Sequence, residues 1–438
     1  SQGASFLKAG TNHNSKGIIA IQELLEVVNN YMTIGATEDA LTLLNSAISL
    51  GEPYASNPLL YYYKAYNLLK SKNSIEFQTC LDKARSLSPL NNYPFRIEEI
   101  ALFKTLLQKR PDDALLHYHL GNLLYFLGQK ESGLEHWLHA TETDPSFAIA
   151  ARNVGFGYGC LNDLEKSIKY YDRAINANPN DPLLLTESDK IYEQANIPTD
   201  QRLKRLESHL KTVMKHDDAV MRLLTLYNAE SKYDKSIKIL NTRHFHLWEG
   251  GGQVHDIYAD SHILKGMQFL KRKQYKEAIR EFDLANQYPS NLEVAPSPNG
   301  GYEAKIYYLS GIAYEAMKQT DKAKICFEKS ADTHFRSHLT DLNYYKIKSL
   351  RKLNRNGEAD VALSDMQKTL ERILRNPTDS YAKFGEANQN VQQSNISYYS
   401  GLIHLLQNNP SAAKNDFTQA LQLYPGNIWA QLMNKDIH

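Results

Sequence analysis

Cysteine is scarce in this chain of 438 residues, and the three that occur, Cys80, Cys160 and Cys326, stand far apart. No two of them form the Cys-x-x-Cys pair of many metal and redox centres, and three isolated thiols cannot build a disulfide framework. Each thiol is therefore interpreted as a small buried hydrophobic side chain.

A surplus of charge of one sign is also missing, because 50 Lys+Arg face 49 Asp+Glu and the net charge is +1. Nucleic-acid-binding proteins usually carry a basic surplus or stripe, so we expect no nucleic-acid partner. No apolar run reaches the length needed to span a membrane, and a cytoplasmic location is the corresponding expectation.

Catalytic signatures are missing as well. There is no nucleophile elbow and no His-Glu-x-x-His motif, and Gly250–Gly252 is not followed by the Lys-Ser/Thr of a phosphate-binding loop. We therefore expect this segment to be no enzyme, and we assign it no cofactor and no metal site.

The chain does contain a repeat. A small residue is followed twelve positions later by a second small residue, four later by an aromatic residue, and three later by Ala or Ser. Five copies keep this frame: Gly121/Gly133/Trp137/Ala140, Gly155/Ser167/Tyr171/Ala174, Gly266/Ala278/Phe282/Ala285, Gly311/Ala323/Phe327/Ser330 and Gly401/Ala413/Phe417/Ala420. A period of about 34 residues with these residue types is the tetratricopeptide signature.

The repeat predicts an all-α solenoid, a right-handed superhelix of antiparallel helix pairs. In each pair, the glycine of the first helix lets the second approach closely, and Pro145, Pro179 or Pro425 ends the second helix in three copies. A single pair cannot bury its apolar face, so the pairs must stack. Less regular segments bring the expected total to about ten or eleven pairs.

The expected layout has five parts. Residues 1–17 are a linker or a cut N-terminus, because the chain starts at Ser1 without a signal peptide. Residues 18–242 and 257–426 are the two halves of the array, 243–256 is a loop between them, and 427–438 is a capping helix. Its polar outer face favours a monomer.

Segments between the repeats resemble one bacterial family of multi-domain proteins. The segments are NYPFRIEEI (92–100), YHLGNLLYFLG (118–128), AARNVGFGYG (150–159), RLKRLESHLKTVMKHDDAV (202–220), RHFHLWEGGGQVHDIY (243–258) and NQYPSNLEV (286–294). Members of that family carry a β-rich domain of unknown function before a long tetratricopeptide array. The resemblance implies that this chain is the C-terminal array and that the β-domain is absent from it. Because that β-domain is similar in character to sugar-handling folds, the resemblance also suggests a link to carbohydrate metabolism.

The loop at 243–256 is the first candidate binding element. Its candidate residues are Phe245, Trp248, Glu249, Gly250, Gly251 and His255. We expect Phe245 and Trp248 to pack back onto the array, because large rings left in water forgo about 2–3 kcal/mol of burial each. His255 and Glu249 would then either face an open cleft or serve only to order the loop.

The inner face of the array is the second candidate. Helical geometry predicts that positions around the small residue of each first helix point inward. The resulting groove candidates are Tyr62, Tyr66, Tyr118, Asn122, Tyr125, Arg152, Phe156, Tyr308 and Tyr398. Such an aromatic groove suits an extended peptide, a sugar chain or the β-domain; in the other interpretation, neighbouring helices cover these rings.

Two hypotheses of function follow. The first is a non-catalytic interaction scaffold that docks a partner protein or the missing N-terminal β-domain. The second is an accessory part of a carbohydrate-active enzyme, in which Trp248, Glu249 or His255 contributes to a composite sugar-binding site.

Overall fold

A computed structural model describes residues 14–70, 74–246, 253–296, 301–334, 339–375 and 389–437. Within these ranges the regular elements are helices and no strand occurs, which confirms the all-α prediction. None of the described helices has the length and apolar character needed to cross a membrane. The chain divides into two compact units, Ser1–Pro179 and Asn180–His438.

The first unit consists of nine described helices. They are α1 (Asn14–Thr33), α2 (Thr37–Ser49), α3 (Pro58–Lys70), α4 (Ser74–Arg85), α5 (Glu98–Lys109), α6 (Ala114–Phe126), α7 (Lys130–Thr143), α8 (Ala148–Cys160) and α9 (Leu164–Ala177). Consecutive helices pack as pairs, most extensively α6 with α7 and α8 with α9.

The second unit continues in the same way with fourteen described helices. They are α10 (Pro182–Gln194), α11 (Thr199–Ser208), α12 (Leu210–Val213), α13 (Asp217–Ala229), α14 (Tyr233–Thr242), α15 (Gln253–Lys271), α16 (Tyr275–Ala285), α17 (Glu303–Ala316), α18 (Thr320–Ala331), α19 (Asp341–Lys352), α20 (Asn356–Arg375), α21 (Gln389–Leu406), α22 (Pro410–Leu423) and α23 (Ile428–Asp436). A short 3-10 turn, Ser290–Leu292, lies between α16 and α17.

The repeat glycines sit where the two helices of a pair touch. A Cβ atom on Gly266 would lie 2.4 Å from a ring carbon of Phe282, the aromatic residue of the same repeat. The corresponding pairs give 2.5 Å for Gly121 and Trp137, 2.8 Å for Gly155 and Tyr171, 2.5 Å for Gly311 and Phe327, and 2.5 Å for Gly401 and Phe417. Any side chain would push the helices apart, so the predicted role of the glycines is confirmed.

A second regularity, not among the sequence-based predictions, marks the turn within each pair. The residue seven positions after the repeat glycine adopts left-handed backbone geometry: Gly128, Asn162, Lys273, Lys318 and Asn408 have φ between 58° and 85°. Asn196 and Asn354 have the same geometry in less regular repeats, which locates the glycine-equivalent positions there at Asp189 and Ile347.

The prediction that all three thiols are buried was wrong for Cys160. Cys80 is buried and Cys326 is half-buried, but Cys160 is exposed. Cys160 is the last residue of α8, where the helix ends and its outer surface meets solvent. Burial raises the pKa of the Cys80 thiol to about 11.

Candidate functional site

Four of the nine groove candidates lie in the core. Tyr62 is fully buried, and Tyr118, Tyr308 and Tyr398 are 6%, 6% and 3% exposed. Their rings pack on other aromatic groups, as Tyr308 does on Phe327 and Tyr345. Neighbouring helices therefore cover most of each ring, so the four do not form the open aromatic groove that the sequence predicts; only the residual edge of Tyr308 lines a pocket, described below.

The other five candidates are at least partly exposed, and four of them lie together on α6 and α8. Asn122 accepts hydrogen bonds from Trp137 Nε1 at 2.9 Å and from Asn153 Nδ2 at 3.0 Å. Tyr125 stacks on Trp137 with the ring centroids 4.7 Å apart. Phe156 is 41% exposed, with its ring 6.0 Å from Tyr125 and beneath the Arg152 guanidinium. Tyr66, the fifth residue, lies on α3.

In the second unit, a pocket of about 460 Å³ opens between α17, α19 and α21. Three cations line it, Lys348, Arg351 and Lys352, and Tyr308 and Tyr344 form part of its wall. Lys348 Nζ lies 5.1 Å from the centre of the Tyr308 ring. Burial, reinforced by the charges of Lys352 and Arg351, lowers the pKa of Lys348, so the ammonium charge lies in a desolvated, positively charged setting.

A buried ion network ties together the start and the end of the second unit. Arg202 donates two hydrogen bonds to Asp189, Nε to Oδ1 at 2.9 Å and Nη2 to Oδ2 at 2.8 Å. Arg222 Nε donates to Asp189 Oδ2 at 2.6 Å, and both arginines also pair with Glu193. Tyr424 OH, far along the chain, donates to Glu193 Oε1 at 2.9 Å.

The last helix, α23, returns to the middle of the second unit. Trp429 packs with Tyr233, Ile237 and Leu264 of α14 and α15. Lys305 Nζ, on a side chain that is 1% exposed, lies 3.4 Å from the centroid of the Trp429 ring and pairs with Asp341. This face of the second unit is therefore occupied by the chain itself.

Asp260 beside Trp429 should make the stability depend on pH near neutrality. Burial raises its pKa to about 7; Lys305 opposes the shift, and Asp341 and Asp256 reinforce it. A raised pKa means that the folded chain holds a proton which the unfolded chain releases above about pH 4. The stabilisation that the protonated Asp260 contributes is full below about pH 4 and is lost as the pH rises through about 7. Between about pH 5 and pH 8, the wild type should lose free energy of unfolding relative to Asp260→Asn, as measured by urea denaturation.

The exposed Asp360 on α20 provides the control for that comparison. Asp360→Asn should follow the wild-type pH profile. Parallel profiles for the wild type and Asp260→Asn would contradict the assignment.

The loop candidates divide into three groups. Phe245 is fully buried, as predicted. Trp248, Glu249, Gly250 and Gly251 lie outside the described residues, so the expectation for Trp248 stays a prediction. His255 does not face an open cleft: it is 4% exposed, it stacks on Tyr288 at 3.8 Å, and its Nε2 bonds the Gln287 carbonyl at 3.1 Å. His255 lies on α15, and its imidazole ring faces the segment that follows α16, which contains Gln287 and Tyr288.

The comparisons with known proteins concern the repeats. A family model described as tetratricopeptide repeat matches residues 158–181 and 304–332. Among solved structures, the chain is similar to YrrB, a TPR protein with an unusual peptide-binding site, at 16% identity over 49% of this chain and 97% of that one, with a TM-score of 0.33. The C-terminal part of a TPR repeat-containing protein from Cytophaga hutchinsonii is 12% identical over 61% and 98%, with a TM-score of 0.31.

A third similar structure is TTC0263, a thermophilic TPR protein from Thermus thermophilus, which is 18% identical over 47% of this chain and 97% of that one, with a TM-score of 0.27. The segment matched at 304–332 covers α17 and α18, whose glycine and aromatic ring, Gly311 and Phe327, are in direct contact. This chain therefore contains tetratricopeptide repeats within an all-α helical array.

Proposed function

We propose that the chain is a non-catalytic scaffold that binds an acidic segment of a partner protein, either in another polypeptide or in a further domain of its own. The observation that carries the proposal is the cationic pocket of the second unit, defined as Tyr308, Tyr344, Lys348, Arg351 and Lys352. Lysine and arginine, which both bind carboxylates, meet there in a recess of about 460 Å³, which is large enough to hold a few side chains of a bound peptide.

The balance of charge in the cationic pocket supports an acidic ligand. Lys352 pairs with Glu315 at 2.6 Å, and Arg351 donates to the Leu406 carbonyl at 2.7 Å. Lys348 contacts only the Tyr344 hydroxyl, at 3.4 Å, and the two tyrosine rings, and no carboxylate among the described residues pairs with it. A carboxylate would offset the repulsion among the three cations and replace lost hydration.

The test is selection of a phage-displayed random peptide library on the folded chain, followed by affinity measurements on the enriched peptides. We expect peptides rich in Asp and Glu, with binding that weakens as salt is added. Lys348→Gln should weaken binding about 10-fold, because a desolvated charge contact of roughly 1.4 kcal/mol is lost. Lys324→Gln is the control, since Lys324 is 70% exposed on α18 and pairs only loosely with Glu328 at 3.9 Å.

Phe156→Ala tests whether peptides bind instead to the part of the predicted groove that is exposed on α6 and α8. If the selected peptides lose affinity to Phe156→Ala and not to Lys348→Gln, the site is the surface of Asn122, Tyr125, Arg152 and Phe156, and the cationic pocket is not the binding site. Enrichment of neutral or basic peptides would also contradict the proposal.

The carbohydrate hypothesis has no support from a described contact. It came from the family resemblance, with Trp248, Glu249 or His255 as the contributing residue; His255 is stacked and buried, and the other two lie outside the described residues. The interaction scaffold is therefore the function that the structure supports best.

A further inference from the structure

Two histidines and a glutamate meet beside the junction of α14 and α15. His244 and His246 lie on the extended segment that follows α14, and Glu293 directly follows the 3-10 turn Ser290–Leu292. Ligand atoms of the three side chains lie within 4.8 Å of one another. In the part of the chain that the structure describes, this is the one cluster of three or more His, Cys, Asp or Glu side chains that meets this distance.

Hydrogen bonds that do not involve the three side chains hold the two segments together. Phe245 N donates to the Asn291 carbonyl at 2.8 Å. Asn291 Nδ2 donates in return to the Leu240 and Arg243 carbonyls, both at 2.7 Å. His246 N donates to Asp217 Oδ2 at 2.9 Å. These four bonds connect the histidine segment to the glutamate segment and to α13 independently of any ligand.

The alternation of an extended chain then orients the side chains. Residues two apart on such a segment point to the same side, so His244 and His246 face outward together while Phe245 between them is fully buried. The two imidazole centroids are 4.6 Å apart. Glu293 adopts left-handed geometry, with φ of 53°, and its Oε1 lies 2.7 Å from His244 Nε2 and 3.7 Å from His246 Nδ1.

We propose that His244, His246 and Glu293 form a binding site for a divalent transition-metal ion of the Zn²⁺ type. Two imidazoles and one carboxylate are ligands that Zn²⁺ accepts. Bonds of about 2.0–2.1 Å in a tetrahedron place neighbouring ligand atoms about 3.3 Å apart. The two separations from Glu293, 2.7 and 3.7 Å, lie on either side of that value, and all three ligand atoms lie within 4.8 Å of one another, so side-chain rotations can bring them around one ion. All three residues are exposed, which gives an ion access from solvent and leaves a coordination position for water or a partner's group.

The experiment is titration of the purified chain with Zn²⁺ in a calorimeter and with Co²⁺ by visible absorption. We expect one ion bound at this site per chain, and binding that weakens in acid because imidazole must be neutral to bind a metal. His244→Ala and Glu293→Gln should each weaken Zn²⁺ binding by about 10- to 100-fold or more, by analogy with the effect of losing even an outer-shell partner. Because these side chains are exposed, far-UV circular dichroism should show both variants folded.

His139→Ala is the matched control. His139 is 62% exposed on α7, and its ring lies 5.2 Å from that of His117, which in turn bonds His136 through the two Nδ1 atoms at 2.8 Å. The control should bind Zn²⁺ as the wild type does. Loss of binding in His139→Ala, with His244→Ala and Glu293→Gln unaffected, would move the site to the first unit and overturn the proposal; so would the absence of Zn²⁺ binding at micromolar concentration.

Discussion

Asp189→Asn should lower the free energy of unfolding of the second unit by about 3–5 kcal/mol, because it removes one of the two carboxylates that neutralise a pair of buried arginines. The carboxylate of Asp189 is 2% exposed and receives hydrogen bonds from both Arg202 and Arg222. Asparagine keeps the shape but removes the negative charge, so two arginines would share the single carboxylate of Glu193. Urea denaturation followed by circular dichroism measures the change.

Asp200→Asn is the control for this prediction. Its carboxylate pairs with Lys204 at 3.2 Å, and the two side chains are 51% and 76% exposed. Solvent screens that pair, so the expected change is within about 0.5 kcal/mol. Similar small effects for both substitutions would show that the buried ion network contributes little.

The difference between the wild type and Asp189→Asn should also depend on pH. Burial alone would raise the pKa of Asp189, but hydrogen bonds with Arg202 and the charges of Arg222 and Arg202 lower it below its ordinary value of 3.8. Burial acts in the same direction on Glu193, and the two arginines again outweigh it. A carboxylate with a lowered pKa contributes stability above its unfolded pKa and loses it as the pH falls through the folded pKa. The loss of free energy of unfolding caused by Asp189→Asn should therefore have its full size above about pH 5 and become smaller below about pH 4.

Gly266→Ala should destabilise the α15–α16 pair by about 1–3 kcal/mol, although alanine is the better helix former. The new methyl group would lie 2.4 Å from Phe282 Cε1 and 2.7 Å from Cδ1, and Phe282 is fully buried with no room to retreat. The overpacking exceeds the gain in helix propensity of about 1 kcal/mol. Thermal and urea unfolding measure the net effect.

Gly357→Ala is the matched control, since it is the same substitution at an exposed position of α20 where an added Cβ meets nothing within 4 Å. It should be neutral or stabilising by up to about 1 kcal/mol. Phe282→Leu combined with Gly266→Ala should recover part of the loss, because the smaller side chain makes room for the methyl group. A destabilisation at Gly357 equal to that at Gly266 would mean that the contact with the ring is not the cause.

The repeat frame could be recognised from sequence because its key contact is local. Gly266 and Phe282 are sixteen positions apart in one helix pair, and the same two residue types recur at the same spacing in each clear repeat. Wherever that spacing was kept, the helices and the close approach at the glycine followed from steric fit alone. Where the spacing is lost, the sequence predicts helices but not their contacts. In α10, Asp189 occupies the place of the repeat glycine, because it stands seven positions before the left-handed Asn196. Asn or Gly at that turn position also follows three of the five repeat glycines, and this spacing is the sequence signal that could have placed Asp189 in the repeat frame.

The sequence by itself determined the fold class and the helix pairs, because helical periodicity and the glycine–aromatic spacing act within about 34 residues. Only the tertiary structure decided which side chains are available. Tyr62 and Tyr398 have the position expected of groove residues, but packing by other helices buries them. Glu193 meets Tyr424, and His244 meets Glu293, across 231 and 49 positions, and no periodicity encodes such pairs. These contacts depend on how successive helix pairs stack and on the path of the segments between them. Both are decided by many small packing contributions and not by a local sequence pattern.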